Sequence, residues 1–326
     1  MPAPSRREVL VGGAAAAGLG LAEAFGGPEI VSAVMTQSGQ IKPTKAKRAL
    51  RIAHLTDIHV QPEKKADEGM AYTLKQVNSL KDKPNLIITG GDQIMDAFGA
   101  GADRTKVQWE LYQKALKNDN DLPIEHCIGN HDVWSFKKRE GAEAAKEGKK
   151  WAMDELGLTK PYRSFDKNGW NFIVLDSTFP RDSGYVAKLD DEQFEWLAED
   201  LARTPAKTPI LIVSHIPIIC FCAFFDGDNE KSGNWQVPGA WMHIDARRIK
   251  DLFAKHPNIK AAISGHIHLI DRVDYNGVSY YCNGAVSGGW WGGNYQECSP
   301  GYGILDLYSD GTVTCEYIES GWKAQA

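Results

Sequence analysis

The chain has 326 residues, 43% of them hydrophobic and 24% charged, an ordinary composition for a globular protein with room for one large core or two small ones. Its formal net charge of −5 argues against a broad nucleic-acid-binding face, which is normally basic. A small anionic substrate remains compatible with that charge, because a local metal site can outweigh the global balance.

The amino-terminal residues stand apart from the rest. Arg6 and Arg7 precede an Ala-, Gly-, Val- and Leu-rich run over residues 9–22, and Ala22-Glu23-Ala24 offers a small-x-small cleavage site. The run is shorter than the roughly 20 residues a bilayer-spanning helix takes, so no stable membrane span is expected. "SRREVL" resembles a twin-arginine signal, which exports cargo already folded. The expectation is a signal over residues 1–27 read by the twin-arginine export machinery and a linker over 28–48. A periplasmic or secreted domain then covers 49–320.

From residue 50 the pattern alternates. "LRIAHLTD" (50–57), "NLIITGGD" (85–92), "IEHCIGN" (124–130) and "PILIVSH" (209–215) read as buried strands that end in polar residues. Residues 70–82, 105–117, 144–157 and 191–203 have the apolar spacing of amphipathic helices. This alternation predicts parallel strands with helices packed outside. Later strands read as more antiparallel: 171–178 and 260–266 are buried runs, while Asn276-Gly277 and Asp310-Gly311 signal hairpins. The simplest architecture is a mixed α/β sandwich of two sheets with helices on both outer faces.

Residues 217–243 read as a long insertion loop. Asp226, Asp228 and Glu230 there hint at a calcium loop, but the Gly and terminal Glu positions are wrong. Residues 287–320 read as a Trp/Gly-rich loop followed by a hairpin. The six cysteines show no CxxC spacing, which argues against a thiolate metal site, and their pairing is left open.

The polar residues fall at the strand ends. Asp57 and His59 lie at i and i+2, which places both side chains on one side of an extended backbone. Asp92 follows Gly90-Gly91, then come Asn130-His131-Asp132, His215 and finally His266 and His268. Taken singly, each is an ordinary loop residue. Together, five of the nine histidines gather where layered α/β sheets bind ligands, and burying them without a cation would be costly.

The ordered set D-x-H, GD, GNHD, H and GHxH resembles that of calcineurin-like metallophosphoesterases, closest to the branch that includes class III cyclic-nucleotide phosphodiesterases. The match runs from about residue 49 to 285. The resemblance implies a four-layer α/β/β/α sandwich with two divalent transition-metal ions, and imidazole, carboxylate and amide donors suit Mn, Fe, Zn or Co. It assigns Asp57, His59 and His268 to one ion, and Asn130, His215 and His266 to the other, with Asp92 bridging. His131 would protonate the leaving oxygen. The tyrosine that purple acid phosphatases carry three residues after the bridging Asp is Met95 here, and either Asp96 or Asp132 would pair with His131.

The implied activity is hydrolysis of a small phosphoester, a phosphodiester or phosphomonoester, by a metal-bridging hydroxide. Two dications about 3.5–4 Å apart repel by roughly 18 kcal/mol at an effective dielectric of ~20, so the bridging carboxylate of Asp92 is the least replaceable ligand. His243, Trp290 and Trp291 are candidate substrate contacts, with Trp235 and Trp241 as further rings that could stack on a base or sugar. The alternative is a catalytically silent metal-binding member of the fold that serves as a binding module.

Overall fold

The computed structural model describes residues 46–134, 142–182 and 184–325. The expected signal and most of the linker lie outside them. The first half forms β1 (Arg48–Leu55), α1 (Ala66–Ser79), β2 (Leu86–Thr89), α2 (Ala102–Asp119), β3 (Ile124–His126) and α3 (Ala142–Leu156). Next come β4 (Arg163–Lys167), β5 (Trp170–Val174), the hairpin β6 (Thr178–Arg181) and β7 (Gly184–Ala187), α4 (Asp191–Arg203) and β8 (Ile210–Val213). The chain closes with α5 (Ala246–Phe253), β9 (Ile259–Ser264), β10 (Asp271–Tyr275), β11 (Val278–Cys282), β12 (Gly301–Tyr308) and β13 (Val313–Glu319).

Two mixed sheets stack face to face. One has the order β13-β12-β1-β2-β3 and the other β10-β11-β9-β8-β5-β4. The alternation of side chains along each strand builds three apolar layers. Ile52, Leu86 and Ile88 of the first sheet meet Phe172, Val174, Leu211, Val213 and Ile263 of the second. The opposite faces take the helices: Ala53 and Ile87 pack with Leu74, Val77, Trp109 and Tyr112 of α1 and α2. Ile173, Ile210 and Ile212 pack with Leu197, Leu201, Ile249 and Phe253 of α4 and α5. The four-layer α/β/β/α sandwich follows from these three clusters.

Local chemistry fixes the ends of the elements. Asp190 caps α4, its carboxylate accepting the Gln193 N–H at 2.7 Å, and Asp191 and Glu192 occupy the first turn, where the helix dipole favours anions. Asn276 and Gly277 take φ of 50° and 82° in the β10–β11 turn, the left-handed pair that a tight hairpin demands.

The expected antiparallel character of the later strands holds for their hairpins and for β12, which runs antiparallel to β1, but not for the buried runs. β5 and β9 both run parallel to β8, and β11 runs parallel to β9. A buried apolar run does not state its direction, and here the crossover helices α4 and α5 set it. The sequence reading also lacks β4, the β6–β7 hairpin and α5, although Ile249, Leu252 and Phe253 carry helical spacing. All six cysteines are buried free thiols. Among the described residues, no helix is long and apolar enough to cross a membrane.

Candidate metal centre

The loops that leave β1, β2, β3, β8 and β9 meet at one end of the sandwich. The β1 and β2 loops continue side by side beyond the strands: Asp57 N–H donates to Gly91 O at 3.1 Å and His59 N–H to Asp92 O at 3.0 Å. The Gly265 N–H donates to His215 O at 3.0 Å and ties the β8 and β9 loops together. Asp57, His59, Asp92, His266 and His268 all have positive φ, between 49° and 71°. Each such non-glycine residue costs about 1–2 kcal/mol, strain that gathers where side chains must be turned inward. Asp57 and His59 therefore converge through left-handed turns, and the extended-backbone reading of their spacing is wrong, because β1 has ended at Leu55.

Two donor groups result: Asp57, His59 and His268 in one, Asp92, His215 and His266 in the other. The two histidines of "GHIH" fall into different groups. Asp92 Oδ2 lies 3.2 Å from His215 Nε2 and 3.7 Å from His59 Nε2, within reach of both groups. Asn130 Oδ1 lies 3.0 Å from His215 Nε2 and is buried beside the second group.

The unsatisfied atoms identify what the groups suit. His268 donates its Nδ1–H to Gly288 O at 2.6 Å, and His215 donates its Nδ1–H to Gly90 O at 2.8 Å. Each ring thereby aims Nε2 inward, the orientation of a metal-ligating imidazole. Burial lowers both rings, but the facing Asp92 raises His215 to about 9 and Asp57 raises His268, so an ion would displace a proton from His215. His268 Nε2 faces His59 Nε2 at 3.1 Å, and His215 Nε2 faces His266 Nδ1 at 3.2 Å. Asp57 Oδ2 accepts the Thr56 hydroxyl at 2.6 Å and the His266 N–H at 2.8 Å, which leaves the buried Oδ1 without a partner. Burial pushes His59 and His266 down to about 3, keeping both rings neutral and able to ligate. Burial pushes the Asp57 carboxyl up, yet the facing His268 and His215 rings hold it below its ordinary value. Converging lone pairs and an orphaned carboxylate oxygen fit a pair of dications well. Gly265 makes room for the cluster: a Cβ there would come within 2.2 Å of Asp57 Oδ2.

His131 stands at the mouth of the cluster, its ring 4.9 Å from that of His59 and perpendicular to it. Its Nδ1 lies 4.0 Å from Asp96 Oδ1. Asp132 is buried and points the other way. Its carboxylate accepts the backbone N–H groups of Asp92 at 3.0 Å, Gln93 at 2.9 Å and Gly129 at 2.8 Å. The expectation that Asp132 could pair with His131 is therefore corrected, since its oxygens are committed to holding the Asp92 loop.

A cavity of about 410 Å³ opens over the cluster, bounded further out by Tyr185, Asp226, Trp241, Trp290 and Tyr295. Trp290 and Trp241 thus line the cleft as the sequence suggested. Trp291 does not: it is fully buried, and its indole N–H donates to Ile58 O at 2.9 Å and His59 O at 3.1 Å. His243 is also corrected, because its buried ring pairs with Asp245 Oδ1 at 2.9 Å and does not line the cavity. Trp235 is exposed and packs on Phe224 and Phe225. Tyr185 and Tyr295 were missed, since single tyrosines in a short strand and a loop carry no periodic signal. Two further buried histidines serve the interior: His54 receives the Asn283 amide at 2.8 Å, and His126 meets the Thr89 hydroxyl at 3.0 Å.

The chain is similar to known proteins. The family model described as calcineurin-like phosphoesterase matches residues 50–269. A 3',5'-cyclic adenosine monophosphate phosphodiesterase, CpdA, of Escherichia coli (strain K12) is 23% identical over 290 residues, covering 84% of this chain and 91% of the relative. A probable glycerophosphodiester phosphodiesterase, GpdQ, of Arcobacter nitrofigilis is 25% identical over 240 residues, covering 73% and 74%. Among solved structures, a dimetal phosphatase from Danio rerio superposes with a TM-score of 0.60 at 12% identity, covering 84% of this chain and 98% of that one.

Proposed function

The chain belongs to the calcineurin-like phosphoesterase family, metal-dependent hydrolases of phosphate esters, and from that premise we propose that it cleaves a phosphodiester in the cleft below Trp290 and Tyr185. Asp57, His59 and His268 would hold one divalent ion and Asn130, His215 and His266 the second, with Asp92 in reach of both donor groups. The ions, of Mn, Fe, Zn or Co type, supply Lewis acidity and an activated water. His131 turns Nδ1 toward Asp96, so its Nε2 is the atom that carries a proton to the departing alkoxide. Asp132 fixes the loop that aims Asp92.

One observation carries the diester reading: among the described residues, no lysine or arginine lines the cleft. A monoester dianion would bring a second negative charge that no lysine or arginine among the described lining residues meets. A diester brings one, which matches the net +1 that two dications would leave with the two carboxylates and one hydroxide. The relatives named as phosphodiesterases support the same choice. The test is turnover by metal-reconstituted protein of bis-p-nitrophenyl phosphate against p-nitrophenyl phosphate. A higher kcat/KM for the diester is expected, and preference for the monoester overturns the reading. A metal-loaded protein inert toward every ester is the binding module instead.

Export belongs to the same proposal and rests on the Arg6-Arg7 segment. Periplasmic fractionation, with loss of export in an Arg6→Lys/Arg7→Lys variant, tests it.

A further inference from the structure

The phosphodiester reading leaves the alcohol unspecified, and the outer half of the cleft narrows it. Trp290 packs on the His268 ring at 4.7 Å and stands nearly perpendicular to Tyr295, with centroids 5.4 Å apart at 83°. Tyr295 donates its hydroxyl to Asp226 Oδ1. The third wall is Trp241, whose ring edge would lie 3.4 Å from a Cβ at Gly227. Asp226 is thus a partly buried carboxylate that lines, together with three aromatic rings, the same cavity as the metal-ligand cluster.

The sign of this lining is unusual for an enzyme acting on anions. A second phosphate on the substrate would meet Asp226, and no lysine or arginine among the described lining residues offsets the repulsion. A neutral nucleoside could stack on the rings but would gain nothing from the carboxylate. A cation with an apolar periphery gains from both, because aromatic faces attract it through the ring quadrupole and the carboxylate through charge.

Building on the diester reading, we propose that Asp226, Trp241, Trp290 and Tyr295 form a subsite for a quaternary ammonium group on the substrate's alcohol, so that the preferred diesters are those of choline-like amino alcohols. The experiment compares p-nitrophenyl phosphorylcholine with its carbon isostere, the p-nitrophenyl phosphodiester of 3,3-dimethylbutanol, which has the same shape without the charge. The expected result is at least tenfold higher kcat/KM for the choline ester on metal-loaded protein, with that ratio collapsing toward one in Asp226→Asn. Equal turnover of the two esters by the unaltered protein overturns the subsite while leaving the diesterase reading intact. Failure to turn over either ester sinks the diesterase reading. Calorimetry with tetramethylammonium then decides the subsite alone: binding lost in Asp226→Asn supports it, and no millimolar binding to the unaltered protein ends it.

Discussion

Asp132 Oδ2 accepts the backbone N–H of Asp92 at 3.0 Å and that of Gly129 at 2.8 Å, so one buried carboxylate joins the loops after β2 and β3. Its other oxygen takes the Gln93 N–H at 2.9 Å. Asp132→Ala leaves those buried donors unmatched, each costing about 1–3 kcal/mol. The expected outcome is a loss of at least about 3 kcal/mol in urea unfolding, accompanied by weaker metal retention. A variant of unchanged stability whose only defect is a lower kcat would return Asp132 to the proton-transfer role.

Asp96 and His131 should separate from that behaviour. His131→Ala removes the proton donor and leaves both donor groups in place, so kcat falls by roughly 10²–10⁴-fold with two ions still bound. Asp96→Asn keeps the shape but removes the charge facing Nδ1, lowering kcat less than His131→Ala does. Elemental analysis beside steady-state kinetics decides this. Loss of metal from His131→Ala would make His131 a ligand.

Asp92 is the residue both donor groups share. Asp92→Asn replaces the charge between two dications with a neutral amide, and bringing them together costs roughly 18 kcal/mol at an effective dielectric of ~20 without that charge. The variant should bind fewer than two ions per chain and lose diester turnover by about 10³-fold or more. Chelation of the unaltered protein should reproduce that loss, and adding metal back should restore it. Full dinuclear loading of Asp92→Asn would show that the carboxylate does not bridge.

Much of this centre is legible in the sequence, for a physical reason. Each donor follows a run such as "LIIT" or "ILIV" whose apolar continuity marks a buried strand, so the first polar residues after it are pinned to the sheet's edge. Spacing alone could not say which histidine joins which group. His266 and His268 divide because their left-handed φ values turn the rings apart, and that is a property of the loop's closure against Asp57. His243 and Trp291 misled because a histidine or tryptophan near a site can serve the interior equally well, as the Asp245 pairing and the carbonyls of Ile58 and His59 show. Asp226 was seen as a calcium hint, but its aromatic neighbours Trp290 and Tyr295 lie more than sixty residues on, beyond any local pattern.

The buried histidines outside the centre add to the acid sensitivity of the fold. His54 is enclosed, with Nδ1 accepting from Asn283 and Nε2 without a partner, and burial lowers it to about 4. Burial and the nearby Arg163 lower His126 to about 4 as well. Both values lie below the unfolded value near 6.5, so on acidification the unfolded chain takes up protons first. Their contribution is therefore fully present above pH 6.5 and is lost as pH falls from 6.5 toward 4, by about 3 kcal/mol for each ring. Urea unfolding of metal-free protein at several pH values should show this decline. His54→Gln, whatever its absolute stability, should flatten the slope across that window by the share of one histidine. An unaltered slope in the variant would mean that His54 already carries its proton in the folded state.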